Sequence, residues 1–176
     1  TNFNFAVNKS KKNKFKSLIK NNKITIGLSW YSNNKQLGPK RNIKLKQFAP
    51  FFTNIDANFI NLQYGDVKAE IDRVSKKINK CLFVDDNIDN KNNIEGLAEK
   101  ILACDMVVSI DNSTLHLSSL LKKDTVALIP EVSDWRWFND STNSLWYPKT
   151  YILRKTISWD KEILKLIEIC KNKFLI

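Results

Sequence analysis

The chain has 176 residues, 43% hydrophobic and 27% charged, which suits one domain with a real core. That balance excludes wholesale disorder and a disulfide-stapled miniature, and no apolar run reaches the ~18 residues a membrane helix needs. Lys and Arg outnumber Asp and Glu by 29 to 18, a formal net charge of +11. Apart from Arg41, Arg73, Arg136 and Arg154 the basic residues are all lysine. Sites that read nucleic acid lean on arginine for bidentate contacts, so nucleic acid is disfavoured as a partner. Three cysteines and one histidine, His116, offer no metal-ligand spacing and an odd count for disulfides. These point to a reducing, cytoplasmic compartment and to no metal cofactor. A chain that opens at Thr1 is expected to be a piece of a longer polypeptide.

Residues 1–22 are polar and rich in Lys and Asn, and read as a basic linker or arm; residues 23–176 read as the folded domain. Residues 23–30 (KITIGLSW) form a β-branched run, a buried strand. Residues 44–53 read as a helix that Pro50 should end or bend. Residues 58–65 (NFINLQYG) make a second strand, closed by Gly65. Over residues 66–80, Val67, Ile71, Val74 and Ile78 recur at three-to-four spacing, an amphipathic helix with Asp66 as its cap. Residues 81–85 (CLFVD) are a third strand, and 94–104 a helix with Leu97, Ile101 and Leu102 inward. Residues 105–110 (DMVVSI) are nearly all apolar, as a central parallel strand should be. A helix over 113–122, a fifth strand over 125–130 (TVALIP), a sixth over 151–154 and a last helix over 160–173 complete the chain.

Short strands separated by single helices need right-handed crossovers. The expected fold class is therefore α/β, a doubly wound parallel, Rossmann-like sheet of five or six strands. Its order should reverse between the first and fourth strands. Ligands of such sheets sit outside the carboxyl ends of the strands at that reversal. The residues following Trp30, Gly65, Asp85, Ile110 and Pro130 are the ones to inspect.

Three constellations stand there. Asp111, Asn112, Ser113, Thr114 and His116 follow the fourth strand and open a helix, where free peptide N–H groups and the helix dipole suit an anion. The same residues also suit a plain capped helix, with Asn112 or Ser113 as cap. Lys40 and Arg41 end the loop after the first strand, and either a diphosphate or bulk water could meet their charge. Asp134, Trp135, Arg136 and Trp137, followed by a second aromatic run at 144–148 (SLWYP), could stack on a ring or pack the last helix. Both tryptophans of the first run are expected to be buried, with Arg136 facing the cleft or a carboxylate. No Walker motif, GxGxxG or nucleophile triad is present, and no catalytic residue is assigned.

ITIGLSW at 24–30, LQYG at 62–65, NIEGLAEKILACDMVVSI at 93–110, DNSTLHLSSLL at 111–121 and the DWRW and SLWYP runs occur in one order. That order resembles the carboxyl-terminal domain of bacterial family-nine-like glycosyltransferases, the lipopolysaccharide heptosyltransferases among them. DWRW and SLWYP are most similar to relatives fused to tetratricopeptide repeats, of the O-linked N-acetylglucosamine transferase-like kind. The resemblance covers about residues 23–160. It implies one half of a GT-B fold that binds a nucleoside diphosphate sugar without a metal, as part of an inverting glycosyltransferase. It also implies that the acceptor pocket and catalytic base lie in an amino-terminal GT-B domain, so that this fragment alone should bind donor without turnover. The acceptor is open among protein, glycan and lipid-linked saccharide, and peripheral placement at the inner membrane face fits the cytoplasmic expectation. In the family pattern Asp111 and His116 match, whereas Asn112 replaces a hydroxyl residue and Ser113 replaces Gly or Ala. Lys40 or Arg41 falls where the family places a phosphate cation, and Asn92 and Asn93 where the nucleoside edge lies. A degenerate domain kept as an interaction module is the alternative.

Overall fold

The computed structural model describes residues 22–80, 82–139 and 141–175. The arm expected at residues 1–22 lies, except for its last residue, outside the described residues, as does Cys81. Six strands form one sheet: β1 (Thr25–Ser29), β2 (Asn58–Asn61), β3 (Leu82–Phe83), β4 (Met106–Ile110), β5 (Asp124–Ile129) and β6 (Thr150–Arg154). Their order is β3-β2-β1-β4-β5-β6 and every pairing is parallel. The doubly wound sheet and its reversal at β1 are as expected. Since β1 is paired on both sides, the carboxyl ends of β1 and β4 diverge into the crevice where such sheets hold ligands.

Alternation along the central strands sorts the core into two layers. Met106, Val108 and Ile110 of β4, with Val126 and Leu128 of β5, face one layer. That layer holds Phe48, Phe51, Phe52 and Phe59, with Phe52 and Phe59 edge to face at 4.9 Å, and Trp159, Ile163 and Leu166 of the last helix. Val107 faces the opposite layer with Leu62, Leu97, Ile101 and Cys104, while Ala127 and Ile129 meet Leu115 and Trp137. Each such side chain contributes roughly 1.5–3 kcal/mol by leaving water. Gly27 is required in β1, because a Cβ there would run into Leu62 and the Cys104 thiol.

Among the described residues eight helical segments lie between the strands or after the last one. They are α1 (Gly38–Arg41), a 3-10 turn (Leu45–Phe48), α2 (Ala49–Asn54), α3 (Lys68–Ile78), α4 (Ile94–Ala103), α5 (Ser113–Leu120), a second 3-10 turn (Trp135–Trp137) and α6 (Trp159–Phe174). Pro50 does not end a helix: it stands in the first turn of α2, where its missing N–H has no partner to lose. Asp66 does not cap α3 either; the helix starts after Val67, whose carbonyl accepts from Ile71 N at 2.9 Å. Leu102 is half-buried rather than inward, since α4 points Leu97, Ala98 and Ile101 at the sheet. Among the described residues no helix is long and apolar enough to cross a membrane.

Candidate functional site

The start of α5 explains its own sequence. Asn112 is the N-cap, and its Oδ1 accepts from Leu115 N at 3.3 Å and from Ser109 Oγ at 3.0 Å. Its Nδ2 donates to Ser29 Oγ at 2.8 Å, tying α5 to the end of β1. An amide carries its acceptor and its donors on separate atoms, so Asn112 caps the helix through Oδ1 while Nδ2 reaches across the sheet. The amides of Ser113 and Thr114, first in the helix, have no intrahelical acceptor. The Thr114 hydroxyl is also without a hydrogen-bond partner although the residue is buried.

Arg41 and Lys40 part company. Arg41 Nη2 lies 2.9 Å from Asp111 Oδ2, a close ion pair outside hydrogen-bond alignment, and Nη1 donates to the Asp111 carbonyl at 3.2 Å. Both side chains are largely buried, so this contact pins α1 to the start of α5. Lys40 remains exposed. The turn that delivers the pair depends on Gly38, whose absent Cβ would strike the Ser32 carbonyl.

His116, one turn into α5, sits among aromatic rings. Its Nδ1 is 3.0 Å from the Tyr147 hydroxyl, its Nε2 is 3.7 Å from Asp111 Oδ1, and its ring stacks on Trp137 at 5.6 Å. Burial pushes its pKa below the usual value; Asp111 opposes that and Arg136 adds to it. The imidazole is therefore neutral at neutral pH. Trp137 is fully buried, as expected, but Trp135 is 69% exposed, against expectation. The short 3-10 turn Trp135–Trp137 cannot point both indoles inward, because successive side chains splay around its axis. Arg136 pairs with Asp134, whose carboxylate also caps that turn. From the end of β6, Arg154 secures the loop by donating to Ser133 Oγ and to the Trp137 carbonyl, both at 2.8 Å.

A second feature opens beside this cluster. A cleft of about 420 Å³ lies at the carboxyl ends of β2 and β3, lined by Gln63, Tyr64, Asp66, Asp85, Asp89 and Asn90 among others. Under it Lys100, with no exposed surface, donates to Asn90 Oδ1 at 2.9 Å. Burial lowers the Lys100 pKa to about 8, with Asp85 pulling the other way. Asn90 Nδ2 donates to the Gln63 carbonyl at 2.9 Å. Gln63 Oε1 in turn accepts from Ser29 Oγ (3.0 Å), Trp30 N (2.9 Å) and Tyr31 N (2.8 Å). A buried polar chain thus runs from the floor of the cleft to Asn112. Asn93 is spent capping α4, accepting from Gly96 N at 2.8 Å, and Asn92 Nδ2 bonds Asp89 at 2.6 Å. They stand next to the cleft without lining it and do not touch the Asp111 cluster.

The structure so brings together Arg41, Asp111, Asn112, His116 and Trp137, and leaves Lys40, Asn92, Asn93 and Trp135 outside that group. Sequence reasoning missed Gln63, Lys100 and Arg154. A polar residue at the end of an apolar strand is the one local signal that marks Gln63. A larger cavity, about 510 Å³, opens at the amino ends of β4–β6 between Asp124, Lys149 and Lys173. Strand amino ends present no helix N-termini, so it lacks the donors gathered at the opposite edge.

With this geometry the class is defined by fold: a Rossmann-like domain of the kind found in glycosyltransferase family 9. The family 9 glycosyl transferase from Veillonella parvula DSM 2008 superposes with a TM-score of 0.63 at 14% identity, over 99% of this chain and 46% of that one. E. coli ADP-heptose lps heptosyltransferase II gives 0.63 and 14%, over 96% of this chain and 54% of that one. Among curated proteins, Protein FlbA of Caulobacter vibrioides (strain ATCC 19089 / CIP 103742 / CB 15) is 26% identical over 129 residues. That stretch is 70% of this chain and 20% of FlbA, so the chain spans about a fifth of that relative and about half of each solved neighbour. No family model matches the chain.

Proposed function

We propose that the chain is the nucleotide-sugar donor-binding half of a glycosyltransferase, with the diphosphate at the start of α5 and the nucleoside in the cleft beside β2. The observation that carries this reading is unspent donor capacity at one point. Two peptide N–H groups and the buried Thr114 hydroxyl lack partners at the positive end of a helix. Lys40, exposed at the end of the β1 loop, is the mobile cation; Arg41 keeps Asp111 in place.

In the inverting reaction the acceptor oxygen attacks the anomeric carbon and the bond from that carbon to the diphosphate breaks. The electron pair leaves on the diphosphate, whose growing charge the amides and the cation stabilise without a metal. The acceptor proton passes to a base outside this chain, in an amino-terminal GT-B half. Tetratricopeptide repeats upstream would present the acceptor, whether protein, glycan or lipid-linked saccharide. The cytoplasm, where nucleotide sugars are at hand, suits this role.

A thermal-shift panel of UDP, GDP, ADP and CMP tests the reading. A nucleotide at ~100 times its dissociation constant adds about 2.7 kcal/mol of stability. A shift with single-stranded RNA or DNA alone would refute it. A second reading, a degenerate GT-B domain serving as an interaction module, is favoured by one observation: Arg41 and the Asn112 side chain are both consumed inside the fold. It predicts no shift with any nucleotide at millimolar concentration.

A further inference from the structure

Of the five tryptophans, Trp30, Trp137 and Trp159 are buried, whereas Trp135 and Trp146 are 69% and 54% exposed. The two exposed indoles touch each other, at right angles, with ring centroids 5.8 Å apart. Large aromatic rings usually bury their faces. Two held edge to face in water instead form an open corner.

The corner rests on a fixed frame. Arg154 anchors the turn that carries Trp135, and Ser144 Oγ accepts from both Trp146 N and Tyr147 N at 3.2 Å. Two residues beyond Trp135, Trp137 stacks on His116; directly after Trp146, Tyr147 bonds the same imidazole. Two residues span at most ~7 Å, so the outer corner is tethered closely to both inner rings around His116. Arg136 and Asp134, beside the corner, also act electrostatically on His116, so the corner flanks the start of α5.

The chemistry of the corner is mixed. The Arg136 guanidinium carbon stands 5.3 Å from the Trp135 ring centroid, and Arg136 is paired with Asp134. The guanidinium thus covers one face of Trp135, and the remaining exposed aromatic surface stands beside a planar donor and a planar acceptor. A purely apolar ligand would make no use of the polar groups beside the rings, and an anion would meet Asp134. A saccharide ring matches both parts, with C–H groups on its face and hydroxyls round its edge.

We infer that the exposed surfaces of Trp135 and Trp146, with Arg136 and Asp134 beside them, form a saccharide platform that receives the sugar ring of the substrate. This inference rests on the donor-binding reading, and it assigns the sugar to residues that do not contact the proposed diphosphate site. The ring could belong to the donor or to a saccharide acceptor; the chemistry is shared, and the arms of the test separate them.

The experiment is calorimetric titration of the wild type, Trp135→Ala, Trp135→Phe and Trp146→Ala. The probes are UDP against UDP-glucose, GDP against GDP-mannose, ADP against ADP-glucose, and free glucose and mannose. Because both rings are exposed, the variants should melt with the wild type, and circular dichroism checks this. For a donor sugar, each alanine variant lowers the affinity of the sugar nucleotide relative to its parent diphosphate by about tenfold. The diphosphate itself keeps its affinity within twofold, and Trp135→Phe restores part of the difference. For an acceptor sugar, that ratio is unmoved and weak binding of the free sugars is lost in the alanine variants. If a diphosphate binds but neither sugar readout depends on Trp135 or Trp146, the platform is refuted and the donor-binding reading stands. The platform is equally refuted if the alanine substitutions instead abolish self-association seen by sedimentation, which would make the corner a protein contact. If neither diphosphates nor sugars bind, both readings fall together.

Discussion

Removing Arg41 separates a structural clamp from a ligand contact. Arg41 and Asp111 lie 2.9 Å apart with 15% and 5% of their side chains exposed, so solvent screens the pair little. Arg41→Met leaves the Asp111 carboxylate buried without its cation, a loss of about 3–5 kcal/mol for an uncompensated buried charge. At ~2–4 °C per kcal/mol for a chain of this size, the melting temperature falls by roughly 6–20 °C. Asp111→Asn in the same background removes the orphaned charge, so the double variant is less destabilised than the sum of the singles, with a coupling energy of about 0.5–3 kcal/mol. Lys40→Ala behaves in the opposite way. It leaves urea stability within ~0.5 kcal/mol, as an exposed side chain should, and weakens the best nucleoside diphosphate about tenfold by removing one charge-assisted contact. Urea denaturation of the wild type and the four variants, with calorimetry of the nucleotide, checks both halves. Additive stability losses for Arg41 and Asp111, or a loss below ~1 kcal/mol for Arg41→Met, would refute the clamp.

Four further outcomes follow from the structure. Bound diphosphate should raise the His116 pKa from its depressed value, so wild-type affinity increases as pH falls from 8 toward 5; in His116→Ala that increase disappears. The ligand-free protein moves the other way: unfolded His takes its proton near 6.5, before the folded one does, so stability drops as pH falls through 6.5 to the lower folded value. Trp137→Ala should cost about 3–5 kcal/mol, the range for emptying a buried large aromatic site, while Trp135→Ala stays within ~0.5 kcal/mol in chemical denaturation. Lys100 is depressed to about 8, so the unfolded chain holds its proton up to the ordinary lysine value and stability climbs above pH 8. Lys100→Met should remove that climb when the two urea-stability profiles are subtracted, and an unchanged difference profile would mean that the ammonium reaches water.

Local chemistry made most of the architecture legible. The apolar runs that became β1, β2, β4 and β5 show it, as do the 3.6-residue period of Ile71 and Val74 and the crossovers that single helices impose. These depend on near neighbours, which a sequence displays directly. Pro50 was misjudged because a proline serves at the start or the end of a helix and only the backbone around it decides which, and Asp66 because the helix begins one residue later, after Val67.

The helix start at Ser113, with Asn112 as one of its two candidate caps, was also readable, since a helix start after a parallel strand is a local fact. Its partners were not. Arg41 rather than its neighbour Lys40 reaches Asp111 across 70 positions, Asn112 reaches Ser29 across 83, and Gln63 gathers the end of β1 from β2. Likewise one of two tryptophans in a four-residue run turns inward onto His116 and the other outward onto Trp146. Such choices depend on which side chains a folded sheet leaves within about 3 Å of one another, and on which buried groups still need a partner once the strands have paired. Composition and periodicity carry no record of either, so they were decided by the tertiary structure.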